Sequence, residues 1–189
     1  MREYQILLDM IRRYFASTVW THKIQEKQAD IYANRFRLLQ LINIVAAALT
    51  SCGILLIIFD DCVAYDVSTA LLSFTTTGVT AYLKCYDLRE MQKKHKDAAN
   101  RFLIIRDELM ELIAVTHMQE KSTADIYEEI SAIKKELNEL YLSAPSTSNS
   151  ACKLAVKALK QNKEYTYTEE EIDSFLQPHL RGKIREENK

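Results

Sequence analysis

Residues Leu38 to Phe59 read LLQLINIVAAALTSCGILLIIF, 22 consecutive positions without a charged side chain. As a helix this run extends roughly 33 Å at about 1.5 Å per residue, the thickness of a bilayer's hydrocarbon core. Core helices of soluble bundles are usually shorter and keep one polar face, so the run predicts a membrane span. The rest of the chain offers few breaks, because its 189 residues include only three glycines and two prolines. Long uninterrupted helices are the expected material. The expected fold class is an all-α membrane protein, a two-transmembrane helical hairpin with long cytoplasmic helices forming a helical bundle or coiled coil.

A second uncharged segment, Val67 to Leu83 (VSTALLSFTTTGVTAYL), has 17 residues and is rich in hydroxyls. Alone it also suits a core helix; beside the first run it reads as the returning span. Asp60, Asp61 and Asp66 lie between the two, whereas Arg35 and Arg37 precede the first and Lys84, Arg89, Lys93, Lys94 and Lys96 follow the second. Lysine and arginine accumulate on the cytoplasmic side, so both termini are expected in the cytoplasm, with the acidic loop outside the inner membrane. The expected segments are 1–37 (N-terminal cytoplasmic helical segment), 38–59 (first span), 60–66 (loop), 67–83 (second span), 84–142 (long cytoplasmic helical segment), 143–150 (linker) and 151–189 (C-terminal appendage).

Thr69, Ser73, Thr76 and Thr80 recur at spacings of four, three and four, so they share one face of the second span. Gln40, Asn43 and Thr50 form a comparable stripe on the first. Such a stripe can line an aqueous path in an oligomer, and Thr69, Ser73, Thr76, Thr80 and Asn43 are the candidate pore-lining residues. The same hydroxyls can instead bond back to their own helix or join neighbouring helices. Ala47, Ser51, Gly53 and Gly78 would permit close helix contact.

Tyr4, Leu7, Ile11 and Tyr14 recur at helical spacing, predicting one or two amphipathic helices ahead of the first span. Beyond the second span, Leu88, Met91, His95, Ala98, Phe102, Ile105, Leu109 and Leu112 form a heptad seam. It loses apolar character at Thr116, Gln119 and Thr123 and resumes in phase at Ile126, Ile130, Ile133, Leu137 and Leu140. That pattern fits one long helix or two stacked helices with a soft point at 116–123, where Ser122 and Asp125 offer a cap. The partner is either the N-terminal helix or a second protomer. His95 and Trp20 read as packing residues. SAPSTSNS, residues 143–150, reads as a linker. Helices are expected within 151–164 and after Thr168, whose capping box closes with Glu171; Pro178 ends the second, and the tail IREENK reads as disordered.

Composition excludes much. The net charge of −1 gives no reason to expect nucleic acid. Cys52, Cys62, Cys85 and Cys152 lack metal or redox spacing. There is no P-loop, HExxH or GxSxG, and the four histidines are scattered. No catalytic residue, cofactor site or metal site is expected, and the chain does not read as an enzyme.

VWTHKIQEKQADIYANRFRLLQLINIVAAALTSCGILLIIFDD, a short loop, then VSTALLSFTTTGVTAYLKCYDLREMQKKHKDAANRFLIIRDEL together resemble the SLATT family, over roughly residues 10 to 142. These are two-span effectors associated with SMODS nucleotidyltransferases and SLOG sensors in bacterial conflict systems. The resemblance implies a membrane effector of anti-phage defence acting by abortive infection. It would oligomerise in the lipid bilayer into a pore, or disrupt the membrane, when a linked sensor is activated. That sensor would be a nucleotidyltransferase or a reverse-transcriptase system. The family carries no catalytic residues and no pore motif to place on particular positions. Two other expectations stand beside it: a non-conducting anchor or scaffold recruiting a cytoplasmic partner, and a constitutive small channel.

Overall fold

The computed structural model describes residues 2–59 and 62–177. Its helices are α1 (Arg2–Phe59), α2 (Val63–Cys85), α3 (Leu88–Met118), α4 (Thr123–Ser143), α5 (Asn149–Val156) and α6 (Glu169–Phe175), with one π-helical turn at Lys157–Gln161. No β-strand occurs among the described residues.

The N-terminal segment and the first span are one continuous helix. With no proline and no glycine before Gly53, nothing interrupts α1 for 58 residues, about 87 Å of helix. Its most apolar 18-residue window has a mean hydropathy of 2.0, yet only 6% of that window is buried. A core helix of a soluble protein would be buried there; this one presents its leucines and isoleucines outward. The shorter α2 does not reach the same apolarity, but it too turns large apolar side chains outward, at Val63, Val67, Leu71 and Phe74. It also begins earlier than the sequence pattern implied. Helix starts at Val63, so the loop expected over 60–66 shortens and Asp66 falls in the first helical turn. The N-terminus of a helix favours a negative side chain, which accounts for an aspartate at that place. Asp60 and Asp61 lie outside the described residues.

Both α2 and α3 run back along α1, antiparallel to it. Thr69 meets Gly53, Thr80 bonds Asn43, His95 bonds Gln25 and the Ala99 carbonyl bonds His22. The register is therefore held across the break between α2 and α3. At that break Tyr86 is extended and Asp87 caps α3, its carboxylate accepting from the Glu90 N–H at 2.9 Å. Phe36, under the Arg89 guanidinium at 4.4 Å, and the paired rings of Tyr82 and Tyr86 collect at this level. Aromatic and cationic side chains gather where apolar core meets headgroups.

The partner of the heptad seam is the N-terminal helix of the same chain. Leu88, His95, Phe102, Ile105, Leu109 and Leu112 are buried and Met91 is partly buried. Neither a single long helix nor a stacked pair continues the seam. Gln119 adopts a left-handed conformation (φ 58°), Ser122 caps α4 through the Asp125 N–H, and α4 reverses beside α3. Tyr4 near the start of α1 reaches the Lys121 carbonyl, and Ser17 reaches Tyr141, so α4 runs parallel to α1. The reversal returns Ile126, Ile130, Leu137 and Leu140 to the same core as Leu7, Ile11, Phe102 and Leu109. In-phase heptads persisted because both helices feed one core.

Residues 143–150 do not form a free linker. The Gln25 amide donates to the Pro145 carbonyl at 3.0 Å, and the Gln28 side-chain oxygen accepts from the Ser148 N–H at 2.8 Å. Ser148 then caps α5, whose Ala151 and Ala155 pack without exposed surface. Thr168 and Glu171 form the expected capping box of α6. Pro178, His179 and the IREENK tail lie outside the described residues.

Candidate functional site: the polar seam along the first helix

Away from the apolar core at its membrane-distal end, α1 buries polar side chains. Thr18, His22, Lys23, Gln25 and Gln28 are buried on it, with His95 on α3 and Thr69 on α2. They belong to two sites, one between the spans and one outside them.

Between the spans, small residues let the helices close up. A Cβ at Gly53 would collide with the Thr69 hydroxyl, and Ala46 is the buried residue of the first span among those described. The Thr69 hydroxyl is buried without a hydrogen-bond partner. Thr80 donates to the Asn43 side-chain oxygen at 3.3 Å, which joins the two polar stripes. Ser73 and Thr76 donate to the carbonyls of Thr69 and Leu72, one helical turn back. Thr50 and Thr77 do the same, to Ala46 and Ser73. Such back-bonding makes hydroxyls tolerable in lipid. Ser73, Thr76 and Thr77 nevertheless share a groove of about 290 Å³ with Ala47 and Thr50 on one flank of the hairpin. The five candidate pore-lining residues therefore divide. Thr69, Thr80 and Asn43 join the two spans, while Ser73 and Thr76 line an open flank.

Outside the spans, His22 links three elements. Its Nδ1 lies 2.8 Å from the Ala99 carbonyl on α3, and its Nε2 lies 2.8 Å from the Tyr165 hydroxyl. A carbonyl only accepts, so Nδ1 carries the proton and Nε2 accepts from Tyr165 in the neutral ring. Burial lowers the His22 pKa, holding it in that form despite the opposing pull of the Ala99 carbonyl and Glu26. His95 stacks on Tyr32 and donates from Nδ1 to the Gln25 side-chain oxygen at 2.6 Å; burial lowers its pKa as well.

Beside them Lys23 is 4% exposed, a position an unpaired ammonium could not hold. Burial opposes its charge, but hydrogen bonds to Glu164 at 2.7 Å and Glu26 at 2.5 Å, together with Tyr165, outweigh that and raise its pKa. Burial would raise the Glu26 pKa; Lys23 reverses the effect and lowers it. Tyr165 is thus held between cations, with Lys23 4.3 Å and Arg106 5.0 Å from its ring centre. The strap bearing it, residues 157–167, takes left-handed conformations at Lys163 (φ 52°) and Tyr165 (φ 73°). Tyrosine rarely adopts that geometry, and the surrounding contacts hold it there.

The apolar repeat ends at Tyr14, ahead of this second site. The signal was present: Thr18, His22, Gln25, Ala29 and Tyr32 continue the helical spacing of Leu7, Ile11 and Tyr14 with polar residues. Nothing in the spacing pointed to the strap, which lies more than 130 positions away. Trp20, expected as a packing residue, has the Lys160 ammonium 5.8 Å from its ring centre.

A family model described as the SMODS and SLOG-associating 2TM effector domain family 4 matches residues 7–171. The match extends through α5 and the strap into α6, so most of the expected C-terminal appendage lies inside the domain. No curated protein and no solved structure matches the chain.

Proposed function

Since the chain belongs to this family of two-transmembrane effector domains, and so is a membrane effector of bacterial conflict systems, we propose that it kills or arrests the cell by oligomerising and permeabilising the inner membrane. The observation that carries the reading is the continuity of α1. One unbroken helix bears the charged, strap-bound site outside the spans and the small-residue contact with α2 within them. A signal that rearranges the outer site then has a rigid element through which to shift the spans.

The flank lined by Thr50, Ser73, Thr76 and Thr77 is the face that would turn to water in an oligomer. Their hydroxyl protons are spent on the backbone, but the oxygens keep lone pairs to accept from water. Both ends of the chain lie in the cytoplasm, where the basic residues flanking the spans belong. The activating signal comes from a linked sensor.

Induced expression with a potential-sensitive dye tests this. The chain, with its sensor active, should depolarise cells, and Thr76→Leu or Ser73→Leu should abolish the leak while leaving membrane insertion intact. A leak unchanged in both variants rejects the lining. Absence of any depolarisation rejects the pore and favours a non-conducting anchor.

A further inference from the structure

Where the strap crosses α1 and α3 it borders a solvent-open cavity of about 710 Å³, within the range of small-molecule sites. Its walls are mostly apolar and include four aromatic rings, Phe15 and Trp20 from α1 and Tyr165 and Tyr167 from the strap. Flat rings on several sides favour a flat guest, because aromatic groups stack offset or meet edge to face.

The charges around this cavity are unequal. Its two acids, Glu26 and Glu164, are both bonded to Lys23, which lies behind them. Its cations are Lys96, Arg106 and Lys160. Arg106 already serves Asp107, and Lys96 stands 3.8 Å from Glu26. Lys160 makes no ion pair among the described residues; its ammonium lies at the outer limit of a cation–π contact with Trp20. The cavity thus offers aromatic walls beside positive charge not yet matched by a carboxylate.

We infer that this cavity binds a planar aromatic ring carrying an anionic group, the ring between the Trp20 and strap aromatics and the anion at Lys160. Anions bonded to ammonium or guanidinium groups make the stronger class of hydrogen bond. The strap's left-handed turn at Lys163–Tyr165 fits a clamp, since strained backbone concentrates at such places. Occupancy would bear on Tyr165 and, through His22 and Lys23, on α1. Binding itself does not depend on the pore reading, and it can be measured where no current flows.

Trp20 is the only tryptophan in the chain, so its emission reports on the cavity. The full chain in zwitterionic lipid nanodiscs is titrated with adenosine monophosphate as a ring-plus-anion probe, with adenosine as the ring alone and with inorganic phosphate as the anion alone. The expected result is a saturable change with the first and at least tenfold weaker responses to the other two, about 1.4 kcal/mol each. Lys160→Gln, at an exposed position, should weaken the monophosphate about tenfold with the melting temperature unchanged. Lys121→Gln, away from the cavity, should not alter it. No saturable response to the monophosphate, equal responses to phosphate alone, or unaltered affinity in Lys160→Gln would each overturn the inference.

Discussion

Leu7 and Leu41 lie on the same helix, each beside an antiparallel partner, yet Leu7 is 8% exposed and Leu41 59%. At the membrane-distal end the large apolar residues Ile11, Phe102, Ile105 and Leu109 have no exposed surface. Among the described residues of the hairpin the buried ones are Ala46 and Thr69, and large apolar side chains such as Leu41, Leu55, Leu71 and Phe74 point out. The pairing register is shared and the sidedness is reversed. Water drives apolar surface inward, at about 25 cal/mol per Å². Lipid removes that drive and leaves close packing and hydrogen bonds to hold helices together, which selects glycine, alanine and threonine for the contact. One helix obeys both rules because its surroundings change along its length.

The largest expected effect lies at the distal end. Phe102→Ala should cost about 3–5 kcal/mol of stability, through lost burial and the cavity left behind, whereas Phe74→Ala on the outer face of the hairpin should cost far less. Unfolding of each variant in the same micelle measures both. Equal losses would erase the contrast.

The next effect is specific to lipid. At an exposed position of a soluble protein Asp for Phe is nearly harmless; here Phe74→Asp should disfavour insertion by about 3–4 kcal/mol. The membrane-inserted fraction of the variant reads this directly, and undiminished insertion would place α2 in water.

The hairpin contact should then behave as a matter of shape. Gly53→Val forces a branched side chain against Thr69, at about 1–3 kcal/mol. Thr69→Ala in the same chain removes the colliding hydroxyl and should restore most of the loss. Thermal stability of the single and double variants gives the coupling; strict additivity would mean that the two residues do not touch.

The smallest effect concerns pH. Burial lowers the pKa values of His22 and His95 from 6.5, so the unfolded chain binds more protons than the folded one near and below that value. Their contribution is complete above about pH 7.5 and fades as pH falls through the folded pKa values. The melting temperature should drop between pH 7.5 and 5.5, and the double variant His22→Gln, His95→Gln should show a smaller drop. Equal slopes would remove the histidines from the explanation.

Local physics made much of this legible from the sequence. A charge-free run of bilayer length can do little else than span. The heptad phase from Leu88 to Leu140 falls on buried or partly buried side chains, but phase is preserved whether a second helix continues or reverses. The turn depended on Gln119 taking a left-handed conformation, which pattern alone does not reveal. The hydroxyl stripe was visible as a stripe. Which of its members meet α1 depended on the position of Gly53 across the hairpin. The strap was least legible, because His22, Lys23 and Tyr165 are brought together by tertiary contacts with no local counterpart.

The reversal of sidedness along α1 is tested most directly by spin labels at single cysteines in a cysteine-free chain reconstituted into bilayers. Labels at Leu41, Val45 and Leu49 should collide with dissolved oxygen far more than with a water-soluble nickel complex. Labels at Ile104 and Met110, equally exposed but at the distal end, should show the opposite preference. Nickel access at Leu41–Leu49 matching that at Ile104 would contradict the account.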